Sequence, residues 1–152
     1  MTTKPSNPKD ALGIRKVPFS TLSAPVLAEM AVGMLEGALK YGRHNYRVIG
    51  VKASVYYDAT KRHLEAWWEG EDIDPESGLP HLVKAMTSLM VLRDAQLRGK
   101  ATDDRPPGTV GFISYLNGLV AKLLERYPKP EAAFTAVTDK GFIEPAEYMG
   151  AT

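Results

Sequence analysis

Apolar residues return at steps of three and four along four stretches of this chain, and nowhere do four or more alternate convincingly with polar ones. That is the period of helix faces rather than strands, so the sequence predicts an all-α, four-helix-bundle-like fold and no sheet. The first stretch, 24–41, carries Val26, Leu27, Met30, Ala31, Met34, Leu35, Ala38 and Leu39 on one side, with Glu29, Glu36 and Lys40 opposite. Ser23 suits its N-cap, Pro25 its first turn and Gly42 its C-cap. A second helix is expected over 52–69, with Val55, Tyr56, Ala59, Ala66 and Trp67 on the core side and Asp58, Arg62, Glu65 and Glu69 on another. A third, over 80–98, is apolar on nearly every side, the pattern of a helix buried among others. A fourth, over 109–127, ends at Pro128 and Pro130 and is followed by a short helical turn around 131–138.

Between these stretches the chain is punctuated by helix breakers. Pro5, Pro8, Gly13 and Pro18 mark residues 1–23 as an irregular, basic arm; Pro75, Gly78 and Pro80 mark a loop at 71–80; Pro106, Pro107 and Gly108 lie in a linker. A chain of 152 residues matches one ordinary domain of about 100–150 residues. The expected layout is therefore a single domain over 1–152, with the arm at 1–23, core helices at 24–99 and C-terminal helices at 109–140.

Composition removes several classes of function. There is no cysteine, hence no disulfide, thiolate metal site or cysteine nucleophile. Nineteen basic residues face 18 acidic ones for a net charge of +1, which argues against a protein that coats DNA through many phosphate contacts. No apolar run nears the roughly 20 residues of a membrane helix, and residues 1–20 lack the apolar stretch of a secretory signal, so no membrane partner and a cytoplasmic location are expected.

The densest chemical feature is acidic. Glu65, Glu69, Glu71, Asp72, Asp74 and Glu76 fall within twelve residues that hold no base. Such a run is either a solvated helix end and loop, or a site for a hard cation such as Mg²⁺ or Mn²⁺. Glu71 and Asp74 would share a face if the second helix continued a turn past Gly70. His63 lies on the core side of its helix, where a hydrogen-bonded packing role is expected. His81 opens the third helix and is placed to cap it, to bind phosphate or to face the acidic loop. No His-Glu-x-x-His pair and no glycine-rich phosphate loop occurs. Lys40, Arg43, Arg47, Lys52, Lys61 and Arg62 flank the acids, and a triphosphate with its metal needs that mixture of carboxylates and cations. Tyr41, Tyr46, Tyr56, Tyr57, Trp67 and Trp68 are able to stack on a base, although core packing explains most of them, Trp67 above all.

Three blocks stand in a fixed order: Asn7-Pro8-Lys9-Asp10-Ala11, Gly37-Ala38-Leu39-Lys40-Tyr41-Gly42-Arg43-His44-Asn45 and Arg62-His63-Leu64-Glu65-Ala66-Trp67. They continue as Gly70-Glu71-Asp72-Ile73-Asp74-Pro75-Glu76-Ser77-Gly78-Leu79-Pro80-His81-Leu82. The series resembles the phage-encoded dATP/dGTP diphosphohydrolases, a MazG-like branch of the all-α nucleoside triphosphate pyrophosphohydrolases. The resemblance spans residues 7–98 and implies a MazG-type fold that hydrolyses purine deoxynucleoside triphosphates to monophosphate and pyrophosphate. It further implies Mg²⁺ or Mn²⁺ as cofactor, assembly into homodimers or homotetramers, and a setting in the host cytoplasm of a phage with 2-aminoadenine DNA. On this reading Glu36, Glu69, Glu71 and Asp74 hold metal and Glu36, Glu71 and Asp74 are catalytic, while Glu76 orients a water or a basic partner. Lys9, Lys16, Lys40, Arg62 and His81 offset phosphate charge; Asn7, Asp10 and Asn45 approach base or sugar. The wider group carries Glu-x-x-Glu and Glu-x-x-Asp helices, but here the third helix begins His81-Leu82-Val83-Lys84, without a carboxylate at either place. The alternative is a non-enzymatic helical module that binds nucleic acid or a partner through the basic, tyrosine-rich stretch 40–62. Steep salt-dependent DNA binding without nucleotide turnover would mark that alternative.

Overall fold

Proline near one end and glycine at the other bound the longest helix among the described residues. This helix, α2 (Ala24–Tyr41), has Ser23 at its N-cap and Pro25 in its first turn, and Gly42 closes it at φ +91° with its N–H on Ala38 O at 2.9 Å. The structure, a computed structural model, describes residues 7–135. The chain falls into two compact units, Met1–Pro106 and Pro107–Thr152. The first holds α1 (Pro8–Gly13), α2, α3 (Ala53–Trp68) and α4 (His81–Leu97); the second holds α5 (Phe112–Arg126). The fold is all-α, and among the described residues no helix is long and apolar enough to cross a membrane.

In the first unit α4 packs against both α3 and α2. Beyond His81 at its start, its buried residues are small: Val83, Ala85, Thr87, Val91 and Ala95, with Ala53 and Thr60 of α3 and Gly33 of α2. Small residues let helix axes come close. A Cβ on Gly33 would meet Thr87 Cγ2 at 3.0 Å and Val83 Cγ1 at 3.3 Å, so α2 and α4 cross where no side chain fits.

Several expectations are corrected. The helix expected to be buried all round, α4, is buried along one side only, with Leu82, Leu89, Met90 and Leu97 exposed. Trp67 is 37% exposed rather than a core residue. In the first unit α2 and α3 cover α4 along one side, which leaves the rest of its surface open. A minimal sheet exists after all, in which β1 (Val51–Lys52) pairs in parallel with β2 (Ala101–Thr102). Two residues are too short to show alternation in a sequence. Gly50 before it sits at φ +88°, and a Cβ there would lie 2.7 Å from Lys100 O. The arm is not irregular throughout. Pro8 occupies the first turn of α1, where its missing N–H costs nothing, and Asn7 caps that helix by accepting from Lys9 N–H at 3.0 Å. A 3₁₀ turn follows at Phe19–Thr21. In the second unit no residue of α5 is buried; residues 131–135 form no helix, and the rest of the turn expected there lies outside the described residues.

Candidate active site at the α2–α4 cleft

A cleft of about 570 Å³ opens along α2 against α4, within the roughly 300–1,000 Å³ typical of small-molecule sites. Its apolar wall includes Leu27, Met30, Met34 and Val91, and its mouth is formed by Tyr41, Arg43, His44, Asn45, Tyr46 and Tyr56. The mouth loop is held in place from both sides. His44 takes the left-handed conformation at φ +62° and leads into a 3₁₀ turn. Arg47 then clamps Asp94 of α4 through two hydrogen bonds of 2.6 and 3.0 Å, which keeps Tyr46 buried beneath the loop.

At one end of the cleft a carboxylate sits between two ammonium groups. Glu36 accepts from Lys84 of α4 and pairs with Lys40 at 2.7 Å, one helical turn along α2. Burial would raise the Glu36 carboxyl, but Lys40 and Lys84 outweigh it and hold the group below its ordinary range. Lys40 is pushed well up by Glu36 first and Glu76 second, because its Nζ also reaches Glu76 Oε1 at 3.3 Å. One ammonium thus bridges the helix carboxylate to the acidic loop.

That loop begins where α3 stops. Gly70 turns to φ +100°, its N–H bonding Trp67 O and the next N–H bonding Ala66 O, both at 3.0 Å. This is a glycine helix ending, so the helix does not continue past Gly70 and Glu71 and Asp74 share no helical face. Asp74 turns its carboxylate onto its own loop, accepting from Ser77 Oγ at 2.5 Å and from the N–H groups of Ser77 and Glu76 at 3.3 and 3.4 Å. Burial raises its carboxyl, yet Ser77 and those N–H groups prevail and hold it below its usual range. Glu71 Oε1 lies 2.7 Å from Nε2 of His81, whose ring is buried. The other ring nitrogen, Nδ1, lies 2.8 Å from Nδ1 of His63. Burial first, then His81, pushes His63 below its usual range. His63 is therefore hydrogen-bonded within the helix packing, and His81 faces the acidic loop.

Of the residues singled out in the sequence, Glu36, Lys40 and Asn45 line the cleft. Glu71, Asp74 and His81 are bound within the adjoining loop and helix start. Glu69 caps the end of α3, and Arg62, Asn7, Lys9, Asp10 and Lys16 are exposed; none of these six lines the cleft. Among the described residues no group of three or more His, Asp or Glu comes together as a metal cage. The donor chemistry does fit a hard ion in a leaner form, since Mg²⁺ is usually held by one or two carboxylates plus substrate phosphates. Glu36 and Glu76 are both paired with the Lys40 ammonium, so an ion held between them would take that cation's place. The sequence reading did not single out Lys84, which lies in the cleft and on Glu36. It was visible only as the place where the resemblance breaks: His81 and Lys84 stand where carboxylates were expected, and they hold Glu71 and Glu36 respectively.

Residues 6–105 match the family model described as dATP/dGTP diphosphohydrolase, N-terminal. A protein named dATP/dGTP diphosphohydrolase from Salmonella phage PMBT28 is 33% identical over 90 residues, covering 59% of this chain and 30% of that relative. The chain thus spans less than a third of the curated relative it matches. No solved structure matches.

Proposed function

The chain belongs to the dATP/dGTP diphosphohydrolase N-terminal family, and on that premise we propose that it hydrolyses dATP and dGTP to the monophosphate and pyrophosphate. The observation that carries the reading is that the family match, 6–105, coincides with the unit that builds the cleft, Met1–Pro106. Two features of the cleft support it. Tyr41 and Tyr56 on the cleft lining suit a purine, since stacking on an aromatic ring contributes about 1–3 kcal/mol per base. Lys40, Lys84 and Arg43 supply cations for phosphate oxygens, and anionic phosphates entering the cleft would compete with Glu36 for both lysines.

Mg²⁺ or Mn²⁺, held by Glu36 and Glu76 together with phosphate oxygens, would supply the charge neutralisation that phosphoryl transfer needs. In the cytoplasm of an infected host such an enzyme would drain the dATP and dGTP pools, a role suited to a phage whose DNA carries 2-aminoadenine. The test is a panel of purine and pyrimidine nucleoside triphosphates, with and without Mg²⁺ or Mn²⁺, scored for pyrophosphate and orthophosphate separately. Metal-dependent pyrophosphate release from dATP and dGTP is expected, and stepwise orthophosphate release would overturn the assignment.

The same reading includes self-association. Ile113, Leu116, Val120 and Leu123 of α5 follow steps of three, four and three, flanked by Leu119 and Leu124, and all are exposed. β-Branched residues alternating with leucine at this spacing favour paired helices of the same kind. A helix of 15 residues is marginal in water without tertiary packing, so a second copy is the proposed cover. Light scattering at micromolar concentration should show a dimer or tetramer; a monomer would remove the proposal.

A further inference from the structure

Among the described residues Glu36 is the single carboxylate on the lining of the α2–α4 cleft, and each of its oxygens is taken by a different ammonium group. Lys40 Nζ lies 2.7 Å from Oε1, and Lys84 Nζ holds Oε2. Both lysines line the cleft as well. The Lys40 pair joins neighbours one turn apart on a single helix, a contact that contributes little by itself. Lys84 comes from the other helix, and its side chain and that of Glu36 are only 18% and 21% exposed. Water screens that second pair far less, so Lys84 is the stronger of the two partners. Glu76 is reached by the same Lys40 at 3.3 Å. The two carboxylates and two ammonium groups joined by these contacts therefore sum to no charge, and Arg43 on the same lining adds a further cation.

A hard divalent cation seeks carboxylate oxygens, and ammonium groups a few ångström from those oxygens repel it. In a cleft without nucleotide the Glu36–Glu76 pair thus has no net charge to offer. A triphosphate reverses the balance, because it brings several negative charges and its oxygens accept strongly from lysine. Each lysine ammonium rides on a flexible four-carbon stem, so it can turn from carboxylate to phosphate without a shift of α2 or α4. The carboxylates are then left uncompensated. We propose that Lys84, assisted by Lys40, occupies Glu36 as an internal cation and keeps divalent metal out until a triphosphate draws both ammonium groups away, so that nucleotide binds before metal or together with it. The inference rests on the reading of the cleft as a triphosphate site, and adds an order of binding to it. By linkage each ligand then strengthens the other by the same factor, commonly about 5–150-fold for two coupled sites.

The test uses the full chain and two probes kept apart. Mn²⁺ alone is followed by electron paramagnetic resonance of the free ion, and dATP in excess EDTA by titration calorimetry. The wild-type chain should bind Mn²⁺ weakly and metal-free dATP measurably. Lys84→Met should tighten Mn²⁺ binding about tenfold and weaken metal-free dATP binding about tenfold, both within the range of such couplings. A lysine with a merely structural role would not move the two in opposite directions. Adding Glu36→Gln to Lys84→Met should remove the gain in Mn²⁺ affinity, which assigns it to this carboxylate rather than to the acidic loop. Lys40→Met, at a more exposed position, should give smaller shifts of the same signs and covers the case in which Lys84→Met does not fold. Wild-type Mn²⁺ affinity in a folded Lys84→Met variant, a gain that survives Glu36→Gln, or metal-free dATP affinity that Lys84→Met leaves unchanged would each overturn the inference. If the shifts appear but no triphosphate is turned over with Mg²⁺ or Mn²⁺, the hydrolase reading falls and the lysine block stands. Turnover without the shifts sinks the block alone.

Discussion

α4 and α5 are built from similar amounts of leucine and valine, yet α4 buries one side of its surface and α5 buries none of its residues. Beyond His81, α4 buries Val83, Ala85, Thr87, Val91 and Ala95, all small, and leaves Leu82, Leu89 and Leu97 exposed. α5 buries none of its residues, and Leu116, Leu119, Leu123 and Leu124 stand between 41% and 63% exposed. Close approach of two helices selects small residues, because axes can near each other only where side chains are short. Large exposed apolar stripes commonly mark interaction surfaces, which is the ground of the proposed self-association. Burial and hydrophobicity are thus separate pieces of information in this chain.

The contrast is broken most forcefully by placing the same charge in each helix. Val83 is 1% exposed, and Val83→Asp should destabilise the first unit by about 4 kcal/mol, since a buried charge without a partner is among the costliest changes. Leu119→Asp should leave that unit within about 0.5 kcal/mol of the parent while abolishing self-association. Both tryptophans, Trp67 and Trp68, belong to the first unit, so urea unfolding followed by their fluorescence reads the first effect and light scattering the second. Equal effects on unfolding would erase the distinction between the helices.

A finer version exchanges glycine for alanine. Gly33→Ala should cost the first unit about 1 kcal/mol. The added methyl meets Thr87 Cγ2 at 3.0 Å, and Thr87 is anchored through its hydroxyl to Lys84 O at 3.0 Å. Gly118→Ala in α5 finds nothing within 4 Å and should stabilise the helix by about 0.5–1 kcal/mol, visible as added helical circular dichroism. Opposite signs are expected from one chemical change.

The smallest effect is that of acid. Glu36 and Asp74 both have carboxyls held below their ordinary values of 4.5 and 3.8. Their contribution to the first unit is therefore complete above those values and is lost as pH falls below them through the lowered ones. Tryptophan fluorescence should show the stability of the first unit declining below about pH 4.5. Lys84→Met should make that decline smaller, because Glu36 loses one of the cations that hold it ionised and its folded value moves back toward the ordinary one.

The helices were largely legible in the sequence. Steps of three and four with Pro25, Gly42 and Gly99 nearby located α2, α3, α4 and α5 to within a few residues of 24–41, 53–68, 81–97 and 112–126. α1 was not, because Pro8 was read as a breaker when it was a starter behind the capping Asn7. Within the site, Glu36, Lys40 and Asn45 could be read from one helix and its following loop. The Lys84–Glu36 and His63–His81 pairs join residues 48 and 18 positions apart, and no local period reports which distant side chains will meet. Asp74 shows another limit of local reading: its acidic run suggested a cation, and only the structure shows that the carboxylate accepts from Ser77 three positions on.

The short parallel pair of Val51–Lys52 with Ala101–Thr102 has a topological consequence. The chain enters the α3–loop–α4 hairpin and leaves it at the same point, with Val51 N–H bonded to Lys100 O at 3.0 Å. The hairpin is in effect a ring with a clasp, and the clasp closes only because Gly50 has no side chain to hold it open. Elements whose two ends coincide are the ones that tolerate being cut elsewhere and rejoined. A chain opened in the 71–80 loop would leave α3 and α4 joined at the clasp, so that the hairpin's closure and its loop can be tested apart.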